Sequence, residues 1–218
     1  MAYPPPSPPP PPPAAPPKSR NGLLIGLLVA GVVAVVMLSA CGIGGFLLYR
    51  EYDDSGEAGN GSSSGAEIED LINYRKTSPA ALSQSHITSP ITYPMTPPAG
   101  GPHFGDWQNC VGDVYTAPIV DGNAVHSLEH GAVWITHKPG LGASDVESLA
   151  AKVRGQAYMM MSPYPGQSSP ISLQAWGYQL AVDSADDDRI DEFIRQFRQT
   201  ATMEPGATCA AGITTTTG

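Results

Sequence analysis

Histidine occurs at five positions, His86, His103, His126, His130 and His137, all in one third of the chain. Imidazole is the commonest metal ligand among side chains and the one that titrates near neutrality. Two of the five sit in His126-Ser127-Leu128-Glu129-His130, a match to the H-x-x-E-H zinc-peptidase pattern. On a helical turn, residues i and i+4 point the same way and can share one ion. On a strand the two rings would be ~13 Å apart, too far for that. A metal reading therefore requires a helical turn here. Gly131 is suited to end such a turn before the apolar stretch that follows. His103 supplies a third ligand and His86 a fourth, both carried by a Pro-rich loop, and the ion would be zinc or copper. Glu129, directly before His130, is expected to point elsewhere. It joins Met95 and Tyr115 as residues supporting the ligands.

The peptidase reading needs the motif on a longer helix, a further carboxylate ligand on another helix and a substrate cleft. Here a glycine and a β-branched run follow at once, so no catalytic residue is assigned. The plain structural alternative is that the histidines hydrogen-bond loop backbone and pack against Trp107 and Trp134. Met159-Met160-Met161 suggests copper by its thioethers. Three consecutive strand residues alternate faces, however, and core packing explains them better.

The elements that must hold these residues follow from periodicity. Ile68 to Leu82 has some helical character. Ser85 to Cys110 is dense in Pro and Gly and reads as an ordered loop with a short strand near Ile87 to Tyr93. Gly112 to Tyr115 and Ile119-Val120 flank a turn. Ala132 to His137 is a strand. Ala143 to Arg154 is a helix, with Ser144 as N-cap and Glu147 completing a capping box. Ala157 to Tyr164 and Ile171 to Val182 are strands close enough to form a hairpin. Asp186 to Gln199 is a helix with acids first and Arg195 and Arg198 last, as the macrodipole prefers. The class is α+β: a small mixed sheet with two helices packed on it. The absence of a Cys-x-x-Cys sequence excludes thioredoxin chemistry.

Ahead of this lies a different composition. Residues 1–21 are a Pro-rich arm, unable to pack a core. Residues 22–49 carry no charge, and at ~1.5 Å per residue they can cross a ~30 Å hydrocarbon layer. Lys18 and Arg20 before the span and Glu51, Asp53 and Asp54 after it put the arm in the cytoplasm and the C-terminal part outside. Leu38-Ser39-Ala40-Cys41 resembles a lipobox, so a lipoprotein anchored at Cys41 is the alternative. Residues 50–67 form a flexible Gly/Ser linker, 68–209 the extracytoplasmic domain and 210–218 a disordered tail. From Glu51 onward the chain holds all 20 acidic residues and, with Lys18, Arg20 and Arg50 upstream, 8 of the 11 basic ones, a formal charge of −12. That argues against nucleic acid as a partner. Cys110 and Cys209 are both external and expected to pair, a bridge of about 4–5 kcal/mol in the chain-entropy model.

Pro97 to His103, Gly112 to Tyr115, Val125 to Val133 (VHSLEHGAV) and Ala175-Trp176-Gly177 resemble a family of uncharacterised bacterial envelope domains. Many of its members are actinobacterial and carry a Pro-rich arm and one membrane anchor. The likeness covers roughly Ser85 to Cys209. His86, His103, Glu129 and His130 fall on its motif positions, which implies a shared site and names no reaction. The reading is a single-pass, membrane-anchored extracytoplasmic domain that binds a metal ion through His103, His126, His130 and His86. A structural or protein-interaction module of the envelope, with an envelope protein as partner, is the alternative, and a metal-dependent hydrolase the third reading.

Overall fold

The structure, a computed structural model, describes residues 67–217. The Pro-rich arm, the apolar span with Cys41, and the linker up to residue 66 lie outside the described residues. Among the described residues, no helix is long and apolar enough to cross a membrane.

The elements run β1 (Ile72–Asn73), α1 (Tyr74–Thr77), a 3₁₀ turn (Pro79–Ala81), β2 (Val111–Val114), α2 (Asp121–Glu129) and β3 (Val133–His137). They continue with α3 (Ala143–Val153), β4 (Met159–Pro163), β5 (Ile171–Ala175), β6 (Tyr178–Val182) and α4 (Arg189–Phe197). The strands form one mixed sheet in the order β1-β6-β5-β3-β4-β2. Strands β2, β4 and β3 are parallel, and β3, β5, β6 and β1 are antiparallel in turn. The class is α+β as read, with four described α-helices rather than two.

The sheet is buried on both faces, and strand alternation divides its residues between two cores. Val133, Ile135, Met159, Met161 and Leu173 pack with Leu149 and Val153 of α3 and with Ile190, Phe193 and Phe197 of α4. Trp134 and Met160 belong to the other core, with Ala124, Val125 and Leu128 of α2. The three consecutive methionines therefore serve both cores and face no common ion.

Several expectations are corrected. Strands β4 and β5 form no hairpin, because β3 lies between them and pairs with both. Every residue of β3 is buried, and the centre of the sheet is where such a strand hides both faces. The hairpin is instead β5–β6. The stretch 171–182 is broken at Trp176-Gly177, where Gly177 has φ +80° and a Cβ would lie 2.6 Å from Arg75 Cγ. Ile87 to Tyr93 contains no strand; the bridge between His86 and His103 lies just outside it. Gly142, not Ser144, is the N-cap of α3, without a side-chain cap. Glu147 pairs with Arg154 rather than closing a capping box. The stretch read as helical around 68–82 holds β1, one short helix and the 3₁₀ turn. The expected disordered tail is tied down: Ile213 bridges to Gln108, Asn109 N donates to Ile213 O, and Thr217 N donates to Pro118 O. Cys110 and Cys209 form the expected disulfide, and both residues are buried.

Candidate metal centre

Helix α2 places the site. Its residues from Gly122 to Glu129 are all buried, unlike those of a surface helix. The helix stops at a Schellman closure: Gly131 N donates to Leu128 O and Ala132 N to Ser127 O. Gly131 has φ +102°, and a Cβ there would approach Gln199 Cα to 3.1 Å. A residue with a side chain would be strained in this turn and would crowd the end of α4. With the helix ending here, His126, Glu129 and His130 sit on its last turn and share one side, at i, i+3 and i+4.

The Pro-rich loop is stitched onto this side. Phe104 lies flat on Gly122, where a Cβ would fall 2.7 Å from the ring, and Phe104 N donates to Gly122 O. Asn123 Nδ2 donates to Asp106 O and Ser127 Oγ to Gln108 O. The bridge of Ile87 N to His103 O and His103 N to Ser85 O then sets His86 and His103 side by side. The ring centroids of His86, His103 and His126 are 4.7–4.8 Å apart, and that of His130 is 4.6 Å from His126.

Three of these rings are oriented in the same way. Nδ1 of His103, His126 and His130 lies 2.8 Å from the carbonyl oxygens of Gly101, Phe104 and Thr208 respectively. A carbonyl only accepts, so Nδ1 carries the proton and each Nε2 presents its lone pair. This is how protein backbone fixes the tautomer of a metal-ligating histidine. Nε2 of His103 lies 2.9 Å from Glu129 Oε2, and His86 Nε2 is 4.0 Å from the same oxygen. His103 Nε2 and Glu129 Oε1 are buried with no hydrogen-bond partner. Burial pushes the Glu129 carboxyl up to about 7, helped by the Glu204 charge. It lowers His126 to about 4, with repulsion from His130 and His103 adding to the shift, and lowers His103 as well.

The donors divide into two sets that share one residue. His86, His103, His126 and Glu129 form one; His126, His130 and Glu204 form the other. Within each set the ligand atoms lie within 4.8 Å of one another, so the cluster could hold a metal ion. Glu129 is thus at the heart of the cluster, contrary to expectation. Adjacency to His130 in sequence is no obstacle, because i+3 from His126 is also a neighbouring position on a helix. Glu204 is a residue that sequence reasoning missed. It follows α4, and its segment reaches the cluster because Thr202 Oγ1 and Met203 N both donate to the Glu129 carbonyl. Nothing local in the sequence signals that docking.

Tyr115, expected to support the ligands, lies elsewhere. Tyr115 donates to Asn109 O and, with His137, lines a separate apolar cavity of about 530 Å³. Met95 is buried. Trp107 does pack on His130 and His126, at 5.1 and 5.9 Å. Trp134 does not: its ring meets Tyr164 and its Nε1 donates to Ser162, while Trp176 stands edge-on to His103.

Fold and site together define an α+β domain with a His/Glu cluster, buried except at His86 and Glu204, that could hold a metal ion. The chain belongs to the family described as a protein of unknown function, DUF3105, which it matches over residues 86–211, more than half its length. That span includes every member of both donor sets. No curated protein and no solved structure matches the chain.

Proposed function

We propose that this is a membrane-anchored extracytoplasmic domain that binds one divalent transition-metal ion, zinc or copper(II), through His103, His126, Glu129 and His86. The observation that carries the reading is the pair His103 Nε2 and Glu129 Oε2. These two atoms lie 2.9 Å apart in a buried place, a contact that either a shared proton or a cation satisfies. Ligands on one ion with bonds of ~2.0–2.1 Å stand ~3.0–3.4 Å apart, close to this separation, so both atoms can reach one cation. Imidazole nitrogen and carboxylate oxygen suit zinc and copper(II) better than copper(I). Three histidines and one carboxylate complete a tetrahedral zinc shell and leave no open position, which favours binding over hydrolysis. The uncharged run 22–49 and the charges flanking it support a single-pass anchor with the domain outside. The Cys110–Cys209 bridge fits an oxidising compartment.

Elemental analysis of the protein prepared without chelator tests this. The expected result is one zinc or copper per chain, lost in His103→Ala/His126→Ala protein that keeps its circular dichroism. No metal in the wild type after reconstitution would refute it and make the histidines structural.

A further inference from the structure

His137 is the one histidine outside the metal cluster, and it stands in the apolar cavity of about 530 Å³. The cavity lies at the carboxyl ends of the three parallel strands: Val114, His137 and Pro163, which line it, are the last residues of β2, β3 and β4. Strand register sets Val114 beside Met161 and His137 beside Pro163. Val146, in the first turn of α3, lines the cavity from the helix side. The carboxyl ends of parallel strands, where a crossover helix begins, are where such sheets leave a crevice for ligands. Tyr115, His137 and Met161 are buried and Pro139 and Pro165 are exposed, so the cavity has an enclosed floor and an open mouth. His137 Nδ1 lies 3.0 Å from the carbonyl oxygen of Lys138. A carbonyl only accepts, so Nδ1 donates and Nε2 is left as an acceptor. Tyr164 N donates to His137 O, which holds this end of β3 in place.

We propose that this cavity binds an uncharged aromatic ring carrying one O–H or N–H, the chemistry of a phenol or an indole, with that donor on His137 Nε2. The volume falls in the ~300–1,000 Å³ range of small-molecule sites, and a mostly apolar lining with one placed polar group is their usual make-up. No Asp, Glu, Lys or Arg lines the cavity, so a charged group would be desolvated there without a partner. Four prolines stand in the lining, and their fixed φ makes the walls rigid before any ligand arrives. Two residues favour a ring over an alkyl chain. The Tyr115 ring can meet a second ring edge-on, and the Met161 thioether makes favourable contacts with aromatic edges. The Tyr115 hydroxyl is already donated to Asn109 O, so this residue adds its ring and His137 sets the polarity. An imidazole lone pair that gains a donor separates a phenol from a plain arene. No lining residue belongs to either metal donor set, so the proposal stands apart from the metal reading.

The experiment uses the full-length protein in lipid nanodiscs, with isotope-labelled methionine methyl groups and p-cresol as the probe. The Met161 methyl signal, assigned by its loss in Met161→Leu, reports a ring placed in the cavity. A saturable ring-current shift of that signal is expected. Binding of p-cresol should be about tenfold tighter than that of p-xylene, which has the same shape and no donor. Cyclohexanol keeps the donor and lacks the π-system, and should bind more weakly and give no ring-current shift. His137→Leu should bring p-cresol down to the affinity of p-xylene. Val146→Phe fills the cavity from α3 and should abolish binding while circular dichroism stays unchanged. The same ring occurs free and as a tyrosine side chain. N-acetyltyrosine amide binding as tightly as p-cresol would assign the ligand to a protein side chain, and p-cresol binding alone would assign it to a free small molecule. The proposal is overturned by no saturable shift with p-cresol or indole, by p-xylene or cyclohexanol binding the wild type as tightly as p-cresol, or by binding that survives Val146→Phe. The comparison of probes on the wild type decides the matter even if a variant misfolds.

Discussion

Replacing Glu129 with glutamine separates the needs of the fold from those of an ion. The carboxyl is buried, Oε1 has no partner and Oε2 lies 2.9 Å from His103 Nε2. Glutamine keeps the shape, removes the charge and supplies an N–H that can donate to His103 Nε2. Without metal the folded protein raises this carboxyl from 4.5 to about 7. A raised acid weakens the fold as the pH climbs from 4.5 through about 7, and the loss is complete above that. At pH 8 it corresponds to on the order of 3 kcal/mol. In chelator, Glu129→Gln should therefore melt about 6–12 °C above the wild type at pH 8, the conversion appropriate to a domain of this size. The gap should close toward pH 4.5. Zinc at a hundred times its dissociation constant stabilises the wild type by about 2.7 kcal/mol, or about 5–11 °C. If the variant binds 100-fold more weakly, the same zinc adds about 0.4 kcal/mol, or about 1–2 °C. Thermal melts by circular dichroism, in chelator and in zinc, read all four quantities. A variant less stable than the wild type without metal would show that the carboxylate supports the fold, and a zinc shift equal in both proteins would remove Glu129 from the ligands.

Gly131→Val should destabilise by about 1–3 kcal/mol through strain at φ +102° and crowding of Gln199, and should also weaken zinc binding; chemical denaturation and titration calorimetry would show both. Leu128→Ala empties a fully enclosed position beneath the ligand-bearing turn, and a loss of about 2–5 kcal/mol is expected in urea unfolding. Breaking the 99-residue bridge with Cys110→Ser/Cys209→Ser should cost about 2–5 kcal/mol.

Local pattern in the sequence carried much of this molecule. The alternation in VWITH and MMM, the apolar face of 143–153, and the glycine stop at 131 each act over a few residues, where backbone geometry leaves little choice. The i, i+4 pair on a helical turn, the loop bringing His103 and His86 to it, and the Cys110–Cys209 bridge were legible on the same footing. Strand order was not. Whether β4 meets β5 or β3 depends on which arrangement buries a strand that is apolar on both faces, and that is settled by the whole sheet. Nor did the sequence show that Glu129 faces His103, or that Glu204 arrives from beyond α4. Those placements come from backbone hydrogen bonds between segments far apart in the chain. Such bonds mostly use main-chain groups, which all residues but proline carry in full, so they leave little mark in the order of side chains.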